Sequence, residues 1–342
     1  MKVLAAMSGG VDSSVAAALL LEEGHDVVGV TMKLWGGASD SGCCSVGDVE
    51  DARRVAQQLG IAHYVFDFAD DFQAGVVEPY VQDHAAGRTP NPCIECNRHL
   101  KFDRLLERAH ALGFDAVATG HHARVYSRDG VHRLARGADR AKDQSYVLYV
   151  LGQRQLASIR LPVGEMTKAD VRARAASLGL RTAAKPESQD TCFVLASDGR
   201  RAFLSDRIPL RPGRVVDEVG VEVGRVDAVE LVTVGQRRGL GVAGGPVRYA
   251  VDVDTERGVV TVGEAGALLI DRVRLGGLTW IDAVVAGPVL AQCRAHGEAV
   301  AARVADDTVW FDEPHARVAP GQSVVLYRGD EVVGGGIALR DA

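Results

Sequence analysis

The stretch KVLAAMSGGVDSS, residues 2–14, decides how the rest of the chain is read. Its opening KVLAAM is a short apolar run that predicts a buried strand. From Asp12 to Glu23, apolar Val15, Ala18 and Leu19 recur at helical spacing. Between strand and helix, Gly9 and Gly10 let successive backbone N–H groups point at one anion. Ser8, Ser13 and Ser14 add hydroxyl donors, and the following helix adds its N-terminal field. The loop lacks both the GKS/T ending of a Walker A motif and the GxGxxG of a dinucleotide fold. A carboxylate inside a phosphate cradle suits Mg2+ held against the phosphates, which assigns that role to Asp12. A tight turn at a strand end is the plain alternative. The hydroxyls and carboxylate set between strand and helix favour phosphate.

Outward from this loop, strands and helices alternate. Asp26 to Met32 reads as a strand, Asp48 to Leu59 as a helix stopped by Gly60, and AHYVFDF as another strand. Asn97 to Leu112 reads as a helix closed by Gly113, Asp115 to Ala118 as a strand running into TGHH, and Lys168 to Leu178 as an amphipathic helix. Strands separated by helices predict an α/β domain with a mostly parallel sheet covered on both faces. After Pro209 the texture changes to Gly-punctuated, Val-rich pieces. From Asp271 onward, short alternating segments such as QSVVLYRG predict a small antiparallel barrel or sandwich. We therefore expect three domains, over 1–205, 206–270 and 271–342.

Composition narrows the function. The 342 residues are 47% hydrophobic and 25% charged, which supports a sizeable core and argues against wholesale disorder. A net charge of −6 excludes a uniformly basic nucleic-acid binder. The charge is uneven: −3 over 1–199, +3 over 200–248 and −6 over 249–342. The arginine-rich middle stretch is the natural place to meet a polyanion. The N-terminus turns polar at Ser8 without a cleavage site, and no apolar run approaches the roughly 20 residues of a membrane span. A soluble, cytoplasmic protein is expected.

The six cysteines are too sparse for a disulfide scaffold. AGRTPNPCIECNRHLKF sets Cys93 and Cys96 near Arg88, Arg98 and Lys101. Cys96 falls just before or in the first turn of the predicted helix, where the dipole and the cations favour thiolate. ESQDTCFV sets Cys192 beside Asp190. Three readings compete. A zinc or iron–sulfur site would need about four sulfur or imidazole ligands. Unreactive thiols are the second. The third is a working pair in which one thiol delivers sulfur and the other relieves the spent persulfide by exchange. Cys293 reads as core, and Cys43 and Cys44 as incidental thiols or a shield for the site.

At these residues the chain resembles the tRNA-specific 2-thiouridylase family of the ATP pyrophosphatase class. The matching stretches include MSGGVDSSVAAALL, GVTMKLW, AGRTPNPCIECNRHLKF, ATGHHAR, KDQSYVLY, LPVGEMTKADVR, KPESQDTCFV and VTVGQRRGLG, with PGQSVVLYRGDEVVGGG near the end. The resemblance implies a PP-loop domain of the adenine nucleotide α-hydrolase type, a small β-rich central domain and a C-terminal antiparallel β-barrel. It implies use of ATP and Mg2+ to adenylylate O2 of the wobble uridine, U34, of tRNA. Sulfur from a cysteine persulfide then gives 2-thiouridine, AMP and pyrophosphate, with no tightly bound metal cofactor.

By the same resemblance, Ala6, Met7, Ser8, Gly9, Gly10, Val11, Asp12 and Ser13, with Met32 and Gly120, form the ATP site. Cys192 carries the persulfide, supplied by a cysteine desulfurase or a sulfur-relay protein, and Cys96 is the nucleophile that closes a transient disulfide with it. Asn91, Pro92 and Cys93 touch the target base, while His121, Lys142, Asp143, Gln144, Arg294 and Gln322 contact tRNA. A monomer is expected. Some family members carry Asp at the position of Cys93, with an acid–base role; here that role is left to Asp190 or elsewhere, and a Cys93–Cys96 pair stays open. Two rivals stand beside this reading: another synthetase of the class acting on a small molecule, and a non-catalytic ATP- and RNA-binding protein.

Overall fold

In the computed structural model, β1 (Lys2–Ala6) is the middle strand of a five-stranded parallel sheet. The structure describes residues 1–34, 45–186, 192–194 and 199–340, so the expectations for Cys43, Cys44 and Asp190 lie outside the described residues. The other strands are β2 (Asp26–Lys33), β3 (His63–Asp67), β4 (Ala116–Ala118) and β7 (Ile159–Arg160), in the order β3-β2-β1-β4-β7. Alternation along β1 sends Val3 and Ala5 to one face and Leu4 to the other, and each face is covered.

On the first face lie α1 (Val11–Glu22), α2 (Val46–Leu59) and a helix over Lys168–Ser177. Ser45 caps α2 by accepting from the Asp48 N–H, and Gly60 ends it with a left-handed φ of 71°. On the second face lie two longer helical stretches, α3 over 69–85 and α4 over 92–111. The helix expected from Asn97 begins at Pro92, because Asn91 is its cap.

Between β4 and β7 the chain makes a hairpin, β5 (Ala123–Arg128) and β6 (Val131–Arg136). Asp129 and Gly130 turn it with φ of 54° and 76°, the conformation of a two-residue hairpin loop. This hairpin does not join the parallel sheet and pairs instead with the last strand of the chain.

The middle segment forms a four-stranded sheet in the order β10-β11-β8-β9, from β8 (Gly213–Val216), β9 (Glu222–Val226), β10 (Tyr249–Asp254) and β11 (Val259–Gly263). The remaining strands are β12 (Leu269–Trp280), β13 (Gly287–Gln292), β14 (Val300–Ala305), β15 (Thr308–Ala316), β16 (Ser323–Arg328) and β17 (Glu331–Ala338). They are antiparallel, and β12 pairs with β17 to close a barrel. β6 adds to β17 through Leu134 opposite Val332 and Ala135 opposite Glu331. Leu134, Tyr146 and Tyr149 then share one core cluster with Val325, Tyr327 and Val332. The Tyr146 hydroxyl donates to the Ser323 carbonyl at 2.7 Å inside it. Packing thus crosses the boundary between the first and last segments of the chain.

Candidate active site

The glycine loop lies at the carboxyl end of β1, beside the residues that follow β4, where an open α/β sheet leaves its crevice. Met7 is fixed by its N–H on the Val30 carbonyl and by the Thr31 hydroxyl donating to its carbonyl, at 2.8 and 2.7 Å. Gly9 has φ of 72°, and a Cβ there would lie 2.3 Å from the Asp48 carbonyl oxygen. Gly10 caps α1 with no side-chain bond, so the first helical N–H groups face the loop. A Cβ on Gly120 would lie 2.5 Å from the Ser13 nitrogen, so only glycine lets this segment cross the start of α1 so closely.

The serines do less for an anion than their sequence suggests. Ser14 is fully buried and donates to the Gly10 carbonyl at 2.8 Å, and Ser13 donates to the same oxygen at 3.1 Å. Both hydroxyls stabilise the first turn of α1, and Ser13 Oγ also accepts from the Ser8 N–H at 3.2 Å. Backbone N–H groups are left as the main anion donors.

Asp12 is held by two side chains. Lys168 Nζ lies 2.8 and 2.7 Å from its carboxylate oxygens, and His122 Nε2 lies 3.1 Å from Oδ1. Burial pushes the Asp12 carboxyl up, but the bonds from His122 and Lys168 outweigh it and hold the group below its ordinary value. Among the described residues no cluster of three His, Cys, Asp or Glu could hold a metal alone. Mg2+ on a nucleotide needs only one or two carboxylates, with phosphate oxygens and water as its other ligands. Asp12 fits that single-ligand role, sharing its charge with Lys168.

The cysteine-bearing elements meet on the second face of the sheet. Asn91 Oδ1 accepts from the Cys93 N–H at 3.1 Å, so Cys93 is the first-turn thiol of α4 and is exposed. Cys96 sits a turn later and is only 8% exposed. The helix-start environment expected for Cys96 therefore belongs to Cys93, because the cap lies further upstream than the periodicity shows. Cys96 and half-buried Cys192 belong to one apolar cluster with Phe72, Val76, Tyr80 and Phe193. Phe193 packs edge-on against Phe72 and Tyr80, with centroids 5.6 and 5.3 Å away, and so anchors the residue beside Cys192.

Family models match each of the three segments of the chain. The tRNA methyl transferase HUP domain family matches residues 1–196, the tRNA methyl transferase PRC-barrel domain 201–264, and the aminomethyltransferase beta-barrel domain 270–338. The tRNA-specific 2-thiouridylase MnmA of Roseiflexus sp. (strain RS-1) is 47% identical over 99% of this chain and 100% of its own. The protein of the same name from Streptomyces coelicolor is 48% identical over 98% of this chain and 93% of its own. The chain belongs to the tRNA-specific 2-thiouridylase family. Among solved structures, the U34-tRNA thiolase NcsA from Methanococcus maripaludis aligns over 60% of this chain and 62% of its own, with 18% identity and a TM-score of 0.37.

Other residues expected to matter in this 2-thiouridylase-family chain fall into two groups. Lys142 is half-buried, Gln144 and Arg294 are exposed, and Met32 is half-buried at the end of β2. Against these, His121 is 8% exposed, with Nδ1 2.7 Å from the Thr119 hydroxyl. Burial holds its pKa well below the ordinary value, so it offers a neutral ring and not a cation for phosphate. Asp143 points inward and accepts from Arg136, from the Gly137 and Ser145 N–H groups and from the Ser145 hydroxyl, which makes it a turn-builder. Gln322 Nε2 donates to the Thr89 carbonyl at 2.6 Å, and the Thr89 N–H donates to the Pro320 carbonyl at 2.7 Å. The barrel thereby braces the segment that leads into Asn91, Pro92 and Cys93.

Lys168 and Thr89 stand beside the candidate site without having been singled out in the sequence, whereas His122, at the end of a strand running into TGHH, reads there as equally structural or functional. An Asp129-Gly130 pair flanked by alternating residues is a readable hairpin signal, and it would have found β5 and β6. Lys168, 156 residues from Asp12, left no such mark.

Proposed function

We propose that the chain thiolates the wobble uridine of tRNA at C2, using ATP and a cysteine persulfide. Cys96 and Cys192 packing into one cluster, on the sheet whose central strand carries the glycine loop, is the observation that supports it. Uridine O2 attacks the α-phosphate of ATP, and pyrophosphate leaves into the N–H groups of residues 9–13. Mg2+, held by Asp12 and the phosphates, supplies charge neutralisation for that leaving group. The terminal sulfur of the Cys192 persulfide attacks C2 and AMP departs with the former O2. Cys96 thiolate then attacks the Cys192 sulfur, releasing 2-thiouridine and leaving a Cys96–Cys192 disulfide that a thiol reductant resets.

The exposed position of Cys93 and the capped turn at Asn91 and Pro92 suit a base-facing edge, braced by Gln322. Extruding the base costs a few kcal/mol, least for an unpaired anticodon nucleotide. The domain descriptions speak of methyl transfer; a phosphate loop beside two converging cysteines suits ATP-driven sulfur transfer instead. A cysteine desulfurase or relay protein loads Cys192, and one chain acts alone in the cytoplasm. Among the described residues no helix is long and apolar enough to cross a membrane.

The test is one turnover with ATP, Mg2+, a wobble-uridine tRNA and a persulfide donor, read by mass spectrometry of nucleoside and protein. Replacement of one oxygen by sulfur, one AMP formed and a Cys96–Cys192 disulfide are expected. No AMP with any tRNA sinks the enzyme reading, and full activity of Cys192→Ser sinks the persulfide assignment.

A further inference from the structure

Two side chains grip Asp12, and one surface turn anchors both of them. The His122 N–H donates to Gln144 Oε1 at 2.9 Å, and the His122 carbonyl accepts from the Gln144 N–H, also at 2.9 Å. The Lys168 N–H donates to Asp139 Oδ2 at 2.9 Å. Asp139 and Gln144 belong to the same turn, 137–144, which is tied together by Asp143 through the Gly137 and Ser145 N–H groups. It is fitted closely to His122, since a Cβ on Gly137 would lie 2.6 Å from the His122 carbonyl oxygen. Gln144 is exposed whereas His122 is 3% exposed. The outer surface of the turn is therefore linked to Asp12 through His122 on one side and through Lys168 on the other.

The ring of His122 has a defined orientation. A carboxylate only accepts, so Nε2 donates the 3.1 Å bond to Asp12. Nδ1 is buried without a hydrogen-bond partner. A buried lone pair is tolerated better than a buried unpaired N–H, and the proton on Nε2 is thereby fixed.

We propose that the 137–144 turn couples the two substrates, with His122 as the positioning residue. RNA lying against Lys142 and Gln144 fixes the turn, the turn fixes His122 and Lys168, and these set the Asp12 carboxylate in the phosphate loop. Nucleotide in the loop and RNA on the turn then favour each other's binding by the same factor, as linkage requires. This rests on the reading above, which assigns the loop to ATP and residues 142–144 to tRNA.

The test measures the Kd of a wobble-uridine tRNA transcript with and without α,β-methylene ATP and Mg2+. The wild-type protein should bind at least about fivefold more tightly with the analogue. In His122→Phe, which keeps a flat ring but has no donor, the nucleotide-free Kd should stay within about twofold and the coupling factor should fall to about one. His122→Gln, whose amide N–H can replace Nε2, should restore most of the coupling. Asp139→Ala, which removes the other anchor without touching His122, should reduce it too. A wild-type protein that thiolates tRNA but shows no coupling overturns the inference and leaves the function standing. Coupling that persists in both His122→Phe and Asp139→Ala overturns it as well, as does a His122→Gln protein no better coupled than His122→Phe. A wild-type protein that neither binds tRNA nor forms AMP overturns the functional reading itself.

Discussion

The side-chain amide of Gln322, in the barrel, donates a 2.6 Å hydrogen bond to the carbonyl of Thr89, in the first segment of the chain. Gly321 beside it has φ of 91°, and a Cβ there would lie 2.9 Å from the Thr89 nitrogen. The barrel tip is thus fitted to the segment just before Asn91. Gln322→Ala should lose about 1 kcal/mol of support for that segment, the usual net value of one hydrogen bond. Its kcat/KM for tRNA should fall about fivefold, the rate equivalent of that energy, with KM for ATP unchanged. Unaltered tRNA kinetics would show that the brace has no role in presenting the base.

Gly9→Ala combines a positive φ with a Cβ 2.3 Å from the Asp48 carbonyl oxygen. The strain is about 1–3 kcal/mol, and it is relieved only by shifting the loop against α2. Calorimetric titration with α,β-methylene ATP should find affinity reduced at least about fivefold, in line with that energy. Wild-type affinity would remove Gly9 from the nucleotide site.

Phe193 fixes the residue next to Cys192 in the aromatic cluster of Phe72, Tyr80 and Phe203. Phe193→Ala removes that anchor at a local cost of about 3 kcal/mol or more. In the proposed reaction adenylylation does not need Cys192, so AMP formation should stay within about threefold while 2-thiouridine yield falls more than about tenfold. Equal losses in both products would argue that Phe193 supports the whole site and not the sulfur carrier.

Burial lowers His84 to about 4, with the charge of Arg200 adding to the effect. The unfolded chain binds a proton there near pH 6.5 and the folded chain does not, so stability is full above pH 6.5 and falls as pH drops toward 4. Across that window the loss from this group is about 3 kcal/mol. His121 is shifted in the same direction and adds to it. Urea unfolding at pH 7 and pH 4.5 should show a smaller acid loss in His84→Gln than in the wild type. An identical slope would contradict the burial argument.

Thiol reactivity should follow exposure. Burial pushes Cys293 up to about 12, against a weaker opposing effect of Arg294, whereas Cys93 is exposed at the start of α4. Under limiting iodoacetamide, peptide mapping should find Cys93 alkylated before Cys96 and Cys192, and Cys293 modified only on unfolding. Early labelling of Cys293 would mean that the barrel opens readily at β13.

The chemistry was legible in short stretches of sequence. KVLAAMSGGVDSS announces strand, loop and helix because strand alternation, helical periodicity and the need for glycine at Gly9 are properties of a few adjacent residues. The alternation of strands and helices announces the parallel sheet for the same reason. The stretches around Cys96 and Cys192 hold the thiols to which the proposed sulfur transfer is assigned, and the texture change after Pro209 announces the β-rich segments.

What tertiary structure alone decided is which distant groups meet. Asp12 finds Lys168 at a separation of 156 residues and His122 at 110, and Gln322 finds Thr89 at 233. Cys96 is buried, and Cys93 takes the helix start, because Asn91 caps α4 and its apolar face closes on α3 and Phe193. The β5–β6 hairpin joins the barrel because β17 offers it an unpaired edge and Tyr327 and Val332 a shared core. Contacts of this kind leave no periodic trace in the chain. They are set by which apolar faces and strand edges meet when the cores close, and that closure is what brings a carboxylate, a lysine and a histidine to one loop.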